Sequence, residues 1–165
     1  IVAPADVQRF AELGVIASMQ PIHATADIDL MRLYLGKRAQ YSYRFRRFAR
    51  LGVPLAFGSD APIEPINPLQ GIYAAVNGKR LGENVIFNRS QLLKVAGAVE
   101  GFTLGGAIAV GAQQERGNLE VGKLADLVVL DRDIIRSPRE EIMNAKILAT
   151  MVGGKFLFKQ DGFAD

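Results

Sequence analysis

Hydrophobic and polar positions run through the same pattern twice in the first sixty residues. From Pro4 to Gly14, Val7, Phe10 and Ala11, with Leu13 close by, fall on one side of a helical period; Pro4 suits the first turn and Gly14 the end. Val15 to Gln20 is then a short, mostly apolar run stopped by Pro21, which predicts a buried strand. The pattern returns in Lys37–Leu51, where Tyr41, Phe45 and Phe48 at i, i+4 and i+7 predict one helix with an inward stripe. Gly52 stops it, and Val53–Phe57 reads as the next buried strand, with Pro54 tolerable only near its start. Helix then strand, twice over, with little polar alternation in the strands, predicts parallel strands covered on both faces and an α/β fold.

Beyond Phe57 the chain turns at Gly58-Ser59-Asp60 and enters a loop punctuated by Pro62, Pro65 and Pro68. Asn67-Pro68 has the form of an N-cap followed by proline at N1, predicting a helix through about Val76. Ser90 is placed to cap a further helix over 91–100, and Thr103–Gln114 reads as a helix that Gly105 and Gly106 weaken, the Gly and Ala of 97–112 marking close helix packing. From about Gly117 the pattern becomes that of strands: one within Ala125–Asp131, then Lys146–Val152 and Lys155–Lys159 around a Gly153-Gly154 hairpin turn. The change of character predicts two modules, residues 1–115 and 116–165.

Composition narrows the chemistry. The chain has 165 residues, no cysteine and one histidine, so thiolate metal sites, Fe–S clusters, a cysteine nucleophile and any site needing two imidazoles from this chain are excluded. Its net charge of +3 does not by itself imply nucleic-acid binding. No apolar run approaches the roughly 18 residues of a spanning helix and no signal-peptide pattern opens the chain, which favours a soluble cytoplasmic protein. No phosphate-binding glycine motif is present: Gly101–Gly106 lacks the dinucleotide spacing and follows a helix.

Two residues stand out as candidates for chemistry. Asp60 is a carboxylate at the C-terminal end of an apolar strand, where barrel enzymes keep catalytic groups. It is suited to binding a metal ion, to taking a proton from water, or simply to capping a tight turn. His23 follows the other strand by the same logic. A metal ligand, a substrate contact, a proton carrier and a loop histidine bonded to backbone are all open to it. Asp27 and Asp29 read first as loop or capping carboxylates. Six cations, Lys37, Arg38, Arg44, Arg46, Arg47 and Arg50, crowd into fourteen residues among Tyr41, Tyr43, Phe45 and Phe48. The helical stripe accounts for the aromatics as core, which leaves the cations as a solvated face rather than a nucleic-acid surface.

Three segments together resemble one family. Leu55-Ala56-Phe57-Gly58-Ser59-Asp60-Ala61-Pro62 resembles the last barrel strand of the metal-dependent amidohydrolase superfamily. The run from Gly117 to Asp131, with Gly122-Lys123-Leu124-Ala125-Asp126-Leu127-Val128-Val129-Leu130-Asp131 at its heart, resembles that superfamily's return into its small β-sandwich. Thr150–Phe158 resembles the sandwich's closing strands. Within the superfamily the chain is most similar to the YtcJ-like amidohydrolase family 3 group, through Ser18-Met19-Gln20-Pro21-Ile22-His23-Ala24 and through Phe57–Pro65 followed by Pro68-Leu69.

The resemblance implies the C-terminal part of a (β/α)8 TIM barrel, an incomplete set of barrel strands in residues 1–115, with the C-terminal strands of a composite β-sandwich in 116–165. It implies hydrolysis of C–N bonds in amides, formamides or related small molecules, with a divalent metal, zinc first, in the full-length parent. Asp60 matches the aspartate that binds metal and acts as general base on metal-bound water; His23 matches a position beside the substrate. The family's His-x-His, carboxylated lysine and further histidines have no counterpart here, since His23 is the only histidine. The chain alone is therefore expected to bind no metal tightly and to be inactive, the alternative being a non-enzymatic oligomerisation or binding module. Partners are expected to be a small amide-type substrate in the parent and neither nucleic acid nor membrane. Two parallel strands with open edges also suggest a homo-oligomer.

Overall fold

The computed structural model describes residues 1–163. Its first part contains two short parallel strands, β1 (Ala17–Met19) and β2 (Leu55–Phe57), paired Ala17 to Leu55, Ser18 to Ala56 and Met19 to Phe57. The pairing is extended by Ala17 N–H donating to the Pro54 carbonyl at 2.9 Å and Gly58 N–H donating to the Met19 carbonyl at 3.3 Å. Pro54 thus sits just outside the strand and contributes only its acceptor, the half of the peptide group that proline keeps. All three residues of β2 are buried, as the continuous apolar run predicts for a strand covered on both faces.

Helices surround this pair. α1 (Val7–Glu12) follows a 3-10 turn over Pro4–Asp6 and leads into β1. After β1 come α2 (Pro21–Ala26) and α3 (Ile28–Leu35), which the hydrophobic pattern does not predict. Pro21 ends the strand and also opens a helix at N1, and the Asp27 N–H donates to the His23 carbonyl at 2.9 Å where α2 gives way to α3. The single helix expected over 37–51 is two pieces, a 3-10 turn over Gly36–Tyr41 and α4 (Phe45–Arg50). Between them Tyr43 has φ of 48°. The break is held from afar: Asn88 Nδ2 donates to the carbonyls of Gln40 and Ser42, both at 3.0 Å.

α5 (Pro68–Asn77) begins as expected, with Asn67 Oδ1 accepting from the Leu69 N–H at 3.0 Å. The helix expected from Gln91 starts later. Arg89–Gln91 is a 3-10 turn, α6 covers Val95–Phe102, and α7 covers Leu104–Ala109. Glycines set the approach of these last helices. A Cβ at Gly101 would run into the Phe57 ring, one at Gly71 into the Phe102 ring, and one at Gly105 into the Leu55 carbonyl of β2.

The C-terminal strands are β3 (Leu127–Leu130), β4 (Ile147–Val152) and β5 (Lys155–Lys159), an antiparallel sheet in that order with the hairpin at Gly153-Gly154. Asp126 Oδ1 accepts from the Gly153 N–H at 2.7 Å and so ties the entry of β3 to that hairpin. Ala149 is fully buried, whereas every residue of β5 is exposed. One hydrophobic core unites Val7, Phe45, Phe48, Leu55, Phe57 and Ile72 with Ile134 and Ile142 from beyond residue 115. Asn77, itself buried, reinforces that junction by donating to the Arg139 carbonyl at 3.1 Å. Among the described residues no helix is long and apolar enough to cross a membrane.

Candidate active site

Parallel pairing settles where the two candidate residues stand relative to the sheet. Met19 and Phe57 form the last register pair, so His23, four residues on, and Asp60, three residues on, both follow the C-terminal edge of the same two-stranded unit. Asp60 is exposed and has φ of 59°, a left-handed conformation that aspartate tolerates better than most residues. Its carbonyl accepts from the Ile63 N–H at 2.8 Å, closing a tight turn, and its carboxylate makes no hydrogen bond or ion pair among the described residues. The turn is closed through the Asp60 backbone, and among the described residues the carboxylate takes no part in closing it.

His23 lies in the first turn of α2 rather than in a loop. Its Nε2 is buried without a hydrogen-bond partner. A buried imidazole nitrogen left unpaired is costly, and such an atom points to a partner still to be supplied. Its neighbours Ile22 and Thr25 line a cleft of about 420 Å³ between α2 and α5, together with Glu64, Gln70 and Tyr73. Burial pushes the Tyr73 hydroxyl above its ordinary pKa, with the Glu140 carboxylate adding to the effect. Sequence reasoning did not single out Tyr73, because a tyrosine inside a helical apolar stripe looks like core.

A second cavity of about 410 Å³ runs along β1, lined by Ile16 to Met19, Tyr41 and Arg44. Here Arg44 Nη1 is buried without a partner, and the guanidinium lies 5.7 Å from the centre of the Tyr41 ring. Among the described residues β1 is paired on one side only, by β2.

Among the described residues no group of three or more His, Cys, Asp or Glu side chains is placed to hold a metal ion. Catalytic zinc ordinarily takes three protein ligands. One free carboxylate and one orphaned imidazole nitrogen do not make that site between them.

A family model described as the amidohydrolase family matches residues 1–158. The chain belongs to the amidohydrolase family. Over 158 residues it is 34% identical to Protein LONG AFTER FAR-RED 3 of Arabidopsis thaliana, covering 94% of this chain and 27% of that protein. It is 29% identical to the putative amidohydrolase YtcJ of Bacillus subtilis (strain 168), covering 93% of this chain and 30% of the relative. The N-substituted formamide deformylase of Arthrobacter pascens is 26% identical, with 94% of this chain and 29% of that one covered. This amidohydrolase chain thus spans between 27% and 30% of the length of these relatives. Among solved structures, an uncharacterized metal-dependent hydrolase from Pyrococcus furiosus superposes with a TM-score of 0.72 at 29% identity, covering 82% of this chain and 27% of that one. The guanine deaminase of E. coli, at 20% identity and a TM-score of 0.63 over 97% of this chain and 38% of its own, shares the fold.

Proposed function

We propose that this chain supplies the last barrel strands and the C-terminal sandwich strands of a metal-dependent hydrolase acting on C–N bonds of amides or formamides. Asp60 is the general base of that reaction and one ligand of its metal, and His23 contacts the substrate. The observation that carries the reading is the free carboxylate of Asp60, held in a left-handed turn at the C-terminal edge of β1 and β2. In that role Asp60 accepts the proton of the attacking water as the new C–O bond forms at the carbonyl carbon. The protonated Asp60 then returns that proton to the nitrogen as the C–N bond breaks, so the amine leaves neutral and the carboxylate is regenerated. The orphaned His23 Nε2 is suited to a hydrogen bond with a polar group of the substrate. The similarity to a formamide deformylase and to metal-dependent hydrolases supports the substrate class and the need for a divalent ion.

The remaining metal ligands must come from outside these residues, so the 165-residue chain alone binds zinc weakly and is inactive. Calorimetric titration with zinc tests this directly: no stoichiometric tight binding is expected, and tight binding would overturn it. In the whole enzyme, Asp60→Asn should lower kcat for an N-substituted formamide by about a hundredfold or more, and an unchanged kcat would remove Asp60 from the chemistry. A second reading, a non-enzymatic oligomerisation module, is favoured by the lack of a metal-holding cluster among the described residues. It predicts that the chain is a stable homo-oligomer in sedimentation and never part of a longer hydrolase.

A further inference from the structure

We propose that the outer face of α3, the 3-10 turn after it and α4 form a docking surface for an anionic phospholipid membrane. The surface begins with α3, which is apolar on two sides. Ile28 and Met31 face inward into a small cluster with Ala39 and Phe87. Leu30, Leu33 and Tyr34, at i, i+3 and i+4, face outward and are 54%, 72% and 73% exposed. Burial explains the first set, and nothing among the described residues covers the second. Scattered exposed leucines are ordinary, but three large apolar side chains in adjacent positions on one helix form a patch.

Charge then says what fits the patch. Between Asp29 and Asp60 the chain carries seven cations and no acid, so a stretch of +7 sits in a chain of net charge +3. Among the described residues none of the seven makes an ion pair, and every ion pair is made by cations elsewhere. Lys37, Arg38, Arg46, Arg47 and Arg50 are all exposed. The fold joins them into one belt. Asn88 bonds to the turn that carries Lys37 and Arg38, Gln91 Oε1 accepts from the Arg47 N–H at 3.1 Å, and the exposed Arg89 lies between those two anchors.

An apolar strip beside unpaired cations is what the interface of an anionic bilayer selects: headgroups neutralise the cations and the acyl boundary takes the leucines. A nucleic acid would use the cations but would gain nothing from Leu30 and Leu33, and Tyr34 alone offers an exposed ring for stacking. A second copy meeting this face symmetrically would oppose one row of exposed cations to another.

Flotation of the full 165-residue chain with vesicles tests the proposal. One set is phosphatidylcholine alone, the other three parts phosphatidylcholine to one part phosphatidylserine. Binding is expected only to the anionic set, weakened but not abolished at about 0.15 M salt, where the screening length is about 8 Å. Arg46→Gln with Arg47→Gln should weaken it about thirtyfold at low salt, since each cation near an anionic surface is worth roughly a fivefold change. Leu33→Ser with Tyr34→Ser should remove the salt-resistant part, and Arg136→Gln, off this surface, should change nothing. Circular dichroism confirms that each variant is folded; should the apolar pair fail to fold, Leu30→Ser takes its place. Equal binding to both vesicle sets, no binding, a salt-resistant part untouched by the apolar substitutions, or tighter binding to a DNA duplex than to anionic vesicles would overturn the proposal.

Discussion

Gly105 and Gly106 stand side by side in the first turn of α7, and replacing each by alanine should move stability in opposite directions. An ideal Cβ on Gly105 would occupy the place of the Leu55 carbonyl oxygen and lie 2.9 Å from the Leu55 carbonyl carbon. Both atoms are backbone, in a strand already paired to β1, so no side chain can swing aside. Overpacking of a well-filled site costs about 1–3 kcal/mol, and a rigid neighbour places this one near the top of that range. At Gly106 a Cβ meets nothing within 4 Å. There the gain in helix propensity, about 0.5–1 kcal/mol for alanine over glycine, is unopposed. Because both variants receive the same propensity gain, their difference isolates the packing cost.

The assay is urea unfolding of wild type, Gly105→Ala and Gly106→Ala, supported by thermal melts. For a chain of this size about 1 kcal/mol corresponds to about 2–4 °C in Tm. Gly106→Ala should melt at or above wild type, and Gly105→Ala about 6–12 °C below Gly106→Ala. Equal stability of the two, or a Gly105→Ala protein as stable as wild type, would refute the direct seating of α7 on β2. The consequence reaches the candidate site, since β2 is the strand that delivers Asp60.

Three further outcomes follow from single contacts. Asn67→Ala removes the acceptor for the Leu69 N–H at the start of α5 and should cost about 1 kcal/mol in urea unfolding. Asp60→Asn should leave stability within about 0.5 kcal/mol of wild type, because the exposed carboxylate has no partner among the described residues to lose. Asp60→Val should cost about 1–2 kcal/mol at the same left-handed position, and equal stability of the two would put the strain elsewhere. Hydrogen bonds from the Arg132 guanidinium and the Lys146 N–H bring the Asp131 carboxyl from 3.8 down to about 2. A depressed carboxyl stabilises the fold above its unfolded pKa and loses that contribution as pH falls from about 4 through about 2. The gap in unfolding midpoint between wild type and Asp131→Asn should therefore be full at neutral pH and close across that window; a gap independent of pH would refute the assignment.

The elements legible in the sequence are those whose evidence is local. β1 and β2 were announced by continuous apolar runs, α5 by Asn67-Pro68, and the final hairpin by Gly153-Gly154, and each is formed. The misreadings share a different cause. Pro21 carries one local signal with two meanings, strand end and helix start, and only the chain beyond it decides between them. The break before α4 depends on Asn88, forty-six residues from Ser42, so no window around the aromatic stripe contains the reason for it. The candidate site divides along the same line. Asp60 and His23 were visible as residues that follow strands, but their common edge is a property of the Met19–Phe57 register, which links positions thirty-eight apart. The basic stretch shows the limit most clearly. Spacing alone explains its aromatics as core and makes its cations an ordinary wet face. The absence, among the described residues, of any carboxylate within ion-pair distance, and the bond that ties the Arg89–Gln91 turn to Arg47 through Gln91, are facts of tertiary structure on which the proposed docking surface rests.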